Sequence, residues 1–114
     1  MKTFDFTTFQ EPSIEVKLGK KGDTPTVIHV QVVDTKLMKR LMAAAEQLKD
    51  VENDDDDKVE GVFRIIAGIL SHNEEERTFT TDDLRNVYGM KFVAAVNFMS
   101  AYMDFVSEIV KEKN

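Results

Sequence analysis

The feature that most constrains the fold is a long, apolar segment near the C-terminal end, residues 90–113. Polar side chains recur there at intervals of three and four, and so occupy one narrow stripe of a helix: Asn97, Ser100, Asp104, Ser107, Glu108 and Lys111. The remaining surface is apolar on two sides, whereas a surface helix of a globular protein has one apolar face. Any fold of this chain must therefore cover the helix on both sides, with its own domain or with a partner.

The two apolar sides differ in composition. One side carries mainly valine and methionine, and we predict that it faces the core: Phe92, Val93, Val96, Met99, Met103, Val106 and Val110. The other side carries Phe98, Tyr102, Phe105 and Ile109, which we predict to face outward and to bind a partner. Aromatic residues and methionine are enriched at protein interfaces, which favours this interpretation. The alternative is a central helix whose two sides are both covered by its own domain.

The first third of the chain predicts a β-hairpin over residues 13–33. Residues 14–18 alternate strictly between apolar and charged side chains, and residues 26–33 are rich in β-branched residues. Turn-forming residues join them over 19–25. An isolated hairpin is marginally stable, so this one must pack against helices. Residues 1–12 precede it as an extended arm, with an edge strand as the alternative.

Capping residues indicate where the first two helices begin. Asp34 suits an N-cap for a first helix that runs to about residue 50. An acidic loop follows over residues 52–57. Asp57 and Glu60 resemble a capping box for a second helix, which should end near Ser71.

A sharper capping signal opens a third helix. Thr80 and Asp83 form a capping box, with Phe79 and Leu84 at the positions of a hydrophobic staple. Gly89 should end this short helix, and the long apolar helix follows. The prediction is a single α+β domain over residues 1–114, mostly α. It consists of the arm, an N-terminal β-hairpin and, from residue 34 onward, a bundle of about four helices.

Composition argues against several classes of partner. The net charge is −6, and the 15 basic residues are scattered, whereas binding of nucleic acid needs clustered cations. The polar stripe interrupts the one segment long enough to span a membrane. There is no cysteine, and the N-terminal residues lack the apolar core of a secretory signal. We therefore expect a cytoplasmic protein that binds neither nucleic acid nor membranes.

No pattern of residues predicts catalysis or a metal. His29 and His72 are the two histidines and lack the spacing of a zinc motif, so we expect structural or surface roles for them. A calcium loop starting at Asn53 would need glycine at its sixth position and glutamate at its twelfth, where Lys58 and Arg64 stand. Nucleophile-elbow and phosphate-loop sequences are lacking too. We expect no enzyme activity, no metal and no cofactor.

Several short motifs, in this order, resemble a known family. They are the helix opening at residues 34–37, the segments 69–73 and 79–84, and the closing segment 98–106, which reads Phe-Met-Ser-Ala-Tyr-Met-Asp-Phe-Val. Together they resemble the tail assembly chaperones of siphophages of Gram-positive bacteria. The resemblance covers most of the chain from Ile14 onward.

The resemblance implies a function in phage tail assembly within the bacterial host. Chaperones of this family bind the long helical tape-measure protein, keep it soluble and help recruit tail tube subunits. Homo-oligomers through the last helix are a further expectation. Two alternatives stay open, namely a small acidic adaptor or inhibitor module and a structural virion protein that oligomerises.

Overall fold

The computed structural model describes residues 2–47 and 56–112. The chain forms strands β1 (Ser13–Leu18) and β2 (Thr26–Gln31), and then helices α1 (Thr35–Gln47) and α2 (Asp56–Leu70). A short π-helical segment (Asp83–Val87) and the long helix α3 (Phe92–Glu112) complete it. This order confirms the predicted α+β, mostly helical class with an N-terminal hairpin. Residues 52–55 of the predicted acidic loop, and the predicted helix ends at residues 50 and 113, lie outside the described residues.

The hairpin is antiparallel and pairs Ser13 with Gln31 at one end and Leu18 with Thr26 at the other. Side chains of alternate residues enter the core, and Ile28 and Val30 are fully buried. Strand β2 ends at Gln31, two residues earlier than predicted. The next position in the register would face Pro12, which has no N–H to donate to the ladder.

A loop after α2 covers the outer edge of β2. The Gln31 N–H donates to the His72 carbonyl and the Glu74 N–H donates to the His29 carbonyl, each at 3.0 Å. Asn73 is buried and holds the loop in shape, since its side chain donates to the Leu70 and Arg77 carbonyls at 2.8 Å. No pattern in the sequence predicted this contact between the loop after α2 and strand β2.

The predicted caps are present at two helix starts. The Leu37 N–H donates to the Asp34 carboxylate at 2.8 Å. The Thr80 N–H donates to the Asp83 carboxylate at 3.0 Å, and the Asp83 N–H donates back to the Thr80 hydroxyl at 3.1 Å. Gly89 has a φ of 64°, which suits glycine at a helix end. The third helix is nevertheless a wider π-helical turn over most of its length.

Helix α2 includes Asp56 and Asp57 of the acidic run. It is described from Asp56, so Asp57 lies in its first turn, and the predicted capping box of Asp57 and Glu60 is not the helix start. Glu60 instead binds Arg85 of the π-helical segment at 2.9 Å. The Arg85 guanidinium also lies 4.2 Å from the centroid of the Phe63 ring, a cation–π contact that fixes this segment against α2.

Candidate protein-binding surfaces

Tyr102, which we predicted to face outward from α3, is a core residue with an exposed fraction of 0%. Its hydroxyl donates a hydrogen bond to the Gln31 carbonyl at 2.7 Å and accepts one from the Val33 N–H at 3.0 Å. The end of β2 thus satisfies the polar atom of the side chain, so the ring can be buried without leaving an unpaired hydroxyl. The predicted outward orientation of Tyr102 is wrong.

Phe98 and Phe105 flank the buried tyrosine along α3. Each ring centroid lies 5.8 Å from that of Tyr102, and both side chains are half-buried against the core. Ile109 is half-buried as well. These three residues therefore form no fully exposed patch, and their role in binding a partner stays a prediction.

The other side of α3 also differs in part from expectation. Met99 is buried as predicted, but Val93 is 71% exposed. Between Phe92 and Ile109 the buried residues of α3 are Ala95, Met99 and Tyr102, and the last two come from opposite predicted sides. The predicted polar stripe faces solvent at Asn97, Ser100, Asp104, Ser107 and Glu108. Helix α3 is thus a core helix with one exposed stripe.

An apolar groove lies between α1 and α2, where their ends approach the undescribed connection between them. Its volume is about 340 Å³, within the range of small-molecule pockets. Small and apolar side chains line most of it: Ala43, Ala44, Gly61, Val62 and Ile65. Arg40, Gln47, Asp57 and Lys58 form its polar rim.

Two glycines of α2 show how the space between the two helices changes along the pair. At Gly68 the two helices touch, because a Cβ built there would lie 3.4 Å from a methyl group of Leu37. At Gly61, two helical turns away, a Cβ would meet no described atom within 4 Å. Among residues 2–47 and 56–112, the two helices thus pack closely at one end of the pair and leave space at the other. The alanine run of α1 and the glycine spacing of α2 are the signals that could have predicted this groove.

The N-terminal arm, residues 2–12, presents a second apolar surface. It forms no strand, so the alternative of an edge strand is wrong. Phe4 is 61% exposed and Phe6 is 83% exposed, and their ring centroids lie 4.6 Å apart. The Phe9 ring lies 5.4 Å from that of Phe4. Exposed aromatic clusters of this kind are common at interaction sites.

His29 lies within a cluster of carboxylates on the outer face of the hairpin. Glu75 accepts the His29 backbone N–H with one oxygen and contacts the imidazole Nδ1 with the other, each at 2.7 Å. Glu15 of β1 lies 3.7 Å from Nε2. The hydrogen bond between the His29 imidazole and the Glu75 carboxylate raises the pKa of His29 and lowers the pKa of Glu75.

The same cluster is a group of side chains that could hold a cation. The ligand atoms of His29, Glu74 and Glu75 lie within 4.8 Å of one another. Both Glu75 oxygens already contact His29, however, so the arrangement is that of a structural clamp between β2 and the loop. The prediction that the chain binds no metal stays a prediction. Because 46 residues separate His29 from Glu75, no local motif indicated the pair.

Comparison with known proteins adds no relative. The chain matches no protein family, no curated protein and no solved structure. Within the described residues, no helix combines the length and the apolar character that crossing a membrane would need.

Proposed function

We propose that this chain is a protein-binding domain that acts as a tail assembly chaperone, and that it holds a helical segment of a tape-measure protein in the α1–α2 groove. The groove is the observation that carries the proposal. It replaces the outer side of α3 as the main binding surface, because Tyr102 is buried there. The choice of family is based on the resemblance of the short motifs between residues 34 and 106.

An amphipathic helix suits this groove in shape. Such a helix inserts apolar anchors at i, i+3, i+4 and i+7 into a groove between two other helices. Ala43 and Gly61 present little side-chain volume, so a third helix can approach at normal packing distance, about 8–10 Å between axes. Val62 and Ile65 are buried at the base and would contact the anchors.

The rim of the groove indicates the charge of the partner. Among the described residues, Arg40, Lys58 and Asp57 carry charges on it. A partner helix with glutamate or aspartate beside its apolar anchors would complement Arg40. The net charge of −6 would meanwhile keep the chaperone dispersed while it presents apolar surface.

The test is titration with synthetic peptides that tile a siphophage tape-measure protein, followed by calorimetry. We expect one amphipathic peptide to bind, and Ala43→Trp to weaken it at least about tenfold by filling the groove. Ala101→Trp is the matched control, since Ala101 is an exposed helical alanine that does not line the groove. Equal affinities of the two variants for the peptide would show that the groove is not the binding site.

The family assignment needs a separate test. A chaperone is present during assembly and absent from purified particles, whereas a structural virion protein is retained in them. Mass spectrometry of purified particles from a host that expresses the gene distinguishes the two. Retention would replace the proposal with the virion-protein alternative. Recruitment of tail tube subunits rests on the resemblance alone and is tested by co-purification with a tail tube protein.

A further inference from the structure

The outer edge of β1 is unpaired within residues 2–47 and 56–112. The other edge of β2 faces the loop after α2. The Gln31 N–H and the His29 carbonyl form hydrogen bonds with the backbone of that loop, and so they point away from β1. Residues 26, 28 and 30 must then point their backbone groups toward β1. Their partners in the register are Leu18, Val16 and Ile14. The backbone groups of Ser13, Glu15 and Lys17 are therefore directed to the free edge.

We infer that β1 of a second copy of the chain pairs with this edge, antiparallel, about a two-fold axis at Val16. An antiparallel pair must place outward-directed residues opposite one another. An axis at Val16 places Glu15 opposite Lys17 of the second copy, and Lys17 opposite its Glu15. The result is a four-stranded sheet across the dimer.

Charge selects this register over its neighbours. An axis at Glu15 would place two glutamates directly opposite each other, and an axis at Lys17 would place two lysines opposite each other. Like charges in opposing positions of a sheet are destabilising, and opposite charges are favourable. In a single chain the Lys17 ammonium and the Glu15 carboxylate are already 3.9 Å apart, on the same face of the strand. In the dimer the charged face of one β1 therefore lies beside that of the other, with each glutamate opposite a lysine.

The apolar face of β1 is complementary to itself in the same register. Val16 lies opposite Val16 of the second copy, and Ile14 lies opposite Leu18. Ile14 and Val16 are half-buried in the single chain, next to the buried Ile28 and Val30 of β2. A second β1 would cover this apolar edge and extend a two-stranded sheet, which is marginal by itself.

Single cysteines test the register, because the chain contains no cysteine. Val16→Cys places two thiols in a non-hydrogen-bonded pair, whose Cα atoms lie about 4.5 Å apart and suit a disulfide. Ile14→Cys on the same face is the matched control, since its copies would lie about 13 Å apart along the strands. We expect a covalent dimer from Val16→Cys in oxidised glutathione and none from Ile14→Cys. The reverse result, or equal cross-linking, would overturn the register.

Charge reversal tests the dimer itself in sedimentation equilibrium. Glu15→Lys or Lys17→Glu alone should raise the dimer dissociation constant about tenfold, because two cross-strand pairs become repulsive. The double variant E15K/K17E restores opposite charges and should restore the dimer. Thermal unfolding of each variant shows that the single chain still folds. A wild-type chain that stays monomeric at every concentration, or a double variant as weak as the single ones, would overturn the inference.

Discussion

The hydroxyl of Tyr102 accepts a hydrogen bond from the Val33 N–H at 3.0 Å, which connects the middle of the last helix to the end of the hairpin. The same hydroxyl donates to the Gln31 carbonyl at 2.7 Å. These two bonds hold the segment that leaves β2 toward the cap at Asp34. One side chain thus links the β and α parts of the domain.

Tyr102→Phe should lower the free energy of unfolding by about 1–3 kcal/mol, because the buried Val33 N–H would lose its partner. The ring volume is nearly unchanged, so the loss reports on the hydrogen bonds rather than on packing. Urea denaturation followed by circular dichroism measures it. Tyr88→Phe is the control, since the Tyr88 hydroxyl contacts Arg77 at an exposed site, at 3.3 Å. Equal losses for both variants would contradict the role assigned to Tyr102.

Phe98→Asp should lower the free energy of unfolding by about 2–4 kcal/mol, because a charge would replace a ring packed on Tyr102 and the core. This reverses the expectation from an outward-facing side, for which the fold would be unaffected. Val93→Asp is the matched control on the same helix. Val93 is 71% exposed, so its substitution should change stability by less than about 0.5 kcal/mol. A Phe98→Asp variant as stable as Val93→Asp would contradict the packing of Phe98 on the core and indicate that its side chain faces solvent.

The contact between His29 and Glu75 should make stability depend on pH. The hydrogen bond to Glu75 raises the pKa of His29 above its ordinary value of 6.5, so the contribution is fully present below 6.5 and is lost as pH rises through the raised pKa. The pKa of Glu75 is lowered from 4.5, so its contribution is lost as pH falls through that lowered pKa. The stabilisation by the charged pair is therefore greatest between pH 4.5 and 6.5.

Glu75→Gln isolates this effect, because the amide oxygen can still accept the His29 N–H while the charge is gone. We expect the variant to be less stable than the wild type between pH 4.5 and 6.5, and the gap to narrow as pH rises through the raised pKa of His29. NMR titration should also show a lower pKa for His29 in the variant. A stability gap that is constant across pH would show that the contact acts without charge.

Thr80→Ala should lower the free energy of unfolding by about 1 kcal/mol, because the Asp83 N–H would lose its capping hydroxyl. Thermal and urea unfolding measure this loss. Thr78→Ala is the control at an exposed threonine two residues earlier, and it should have little effect. Since Thr80 caps the first residue of the π-helical segment that holds Arg85 against Glu60, the variant should weaken that ion pair as well.

The sequence alone determined much of the local structure of this protein. The alternation of residues 14–18, the cap at Asp34, the capping box of Thr80 and Asp83, and Gly89 each predicted an element or its end. These signals are local, because they depend on neighbours within four residues along the chain. The polar stripe of α3 was predicted on the same basis and faces solvent from Asn97 to Glu108.

Only the tertiary structure decided which apolar side of α3 is covered. Helical spacing shows which residues share a side but not what packs against them. Tyr102 could therefore be placed only when Gln31 at the end of β2 was brought to it, 71 residues away along the chain. The His29–Glu75 contact and the α1–α2 groove arose in the same way. Each depends on surfaces from distant segments, and no pattern within one segment specifies that pairing.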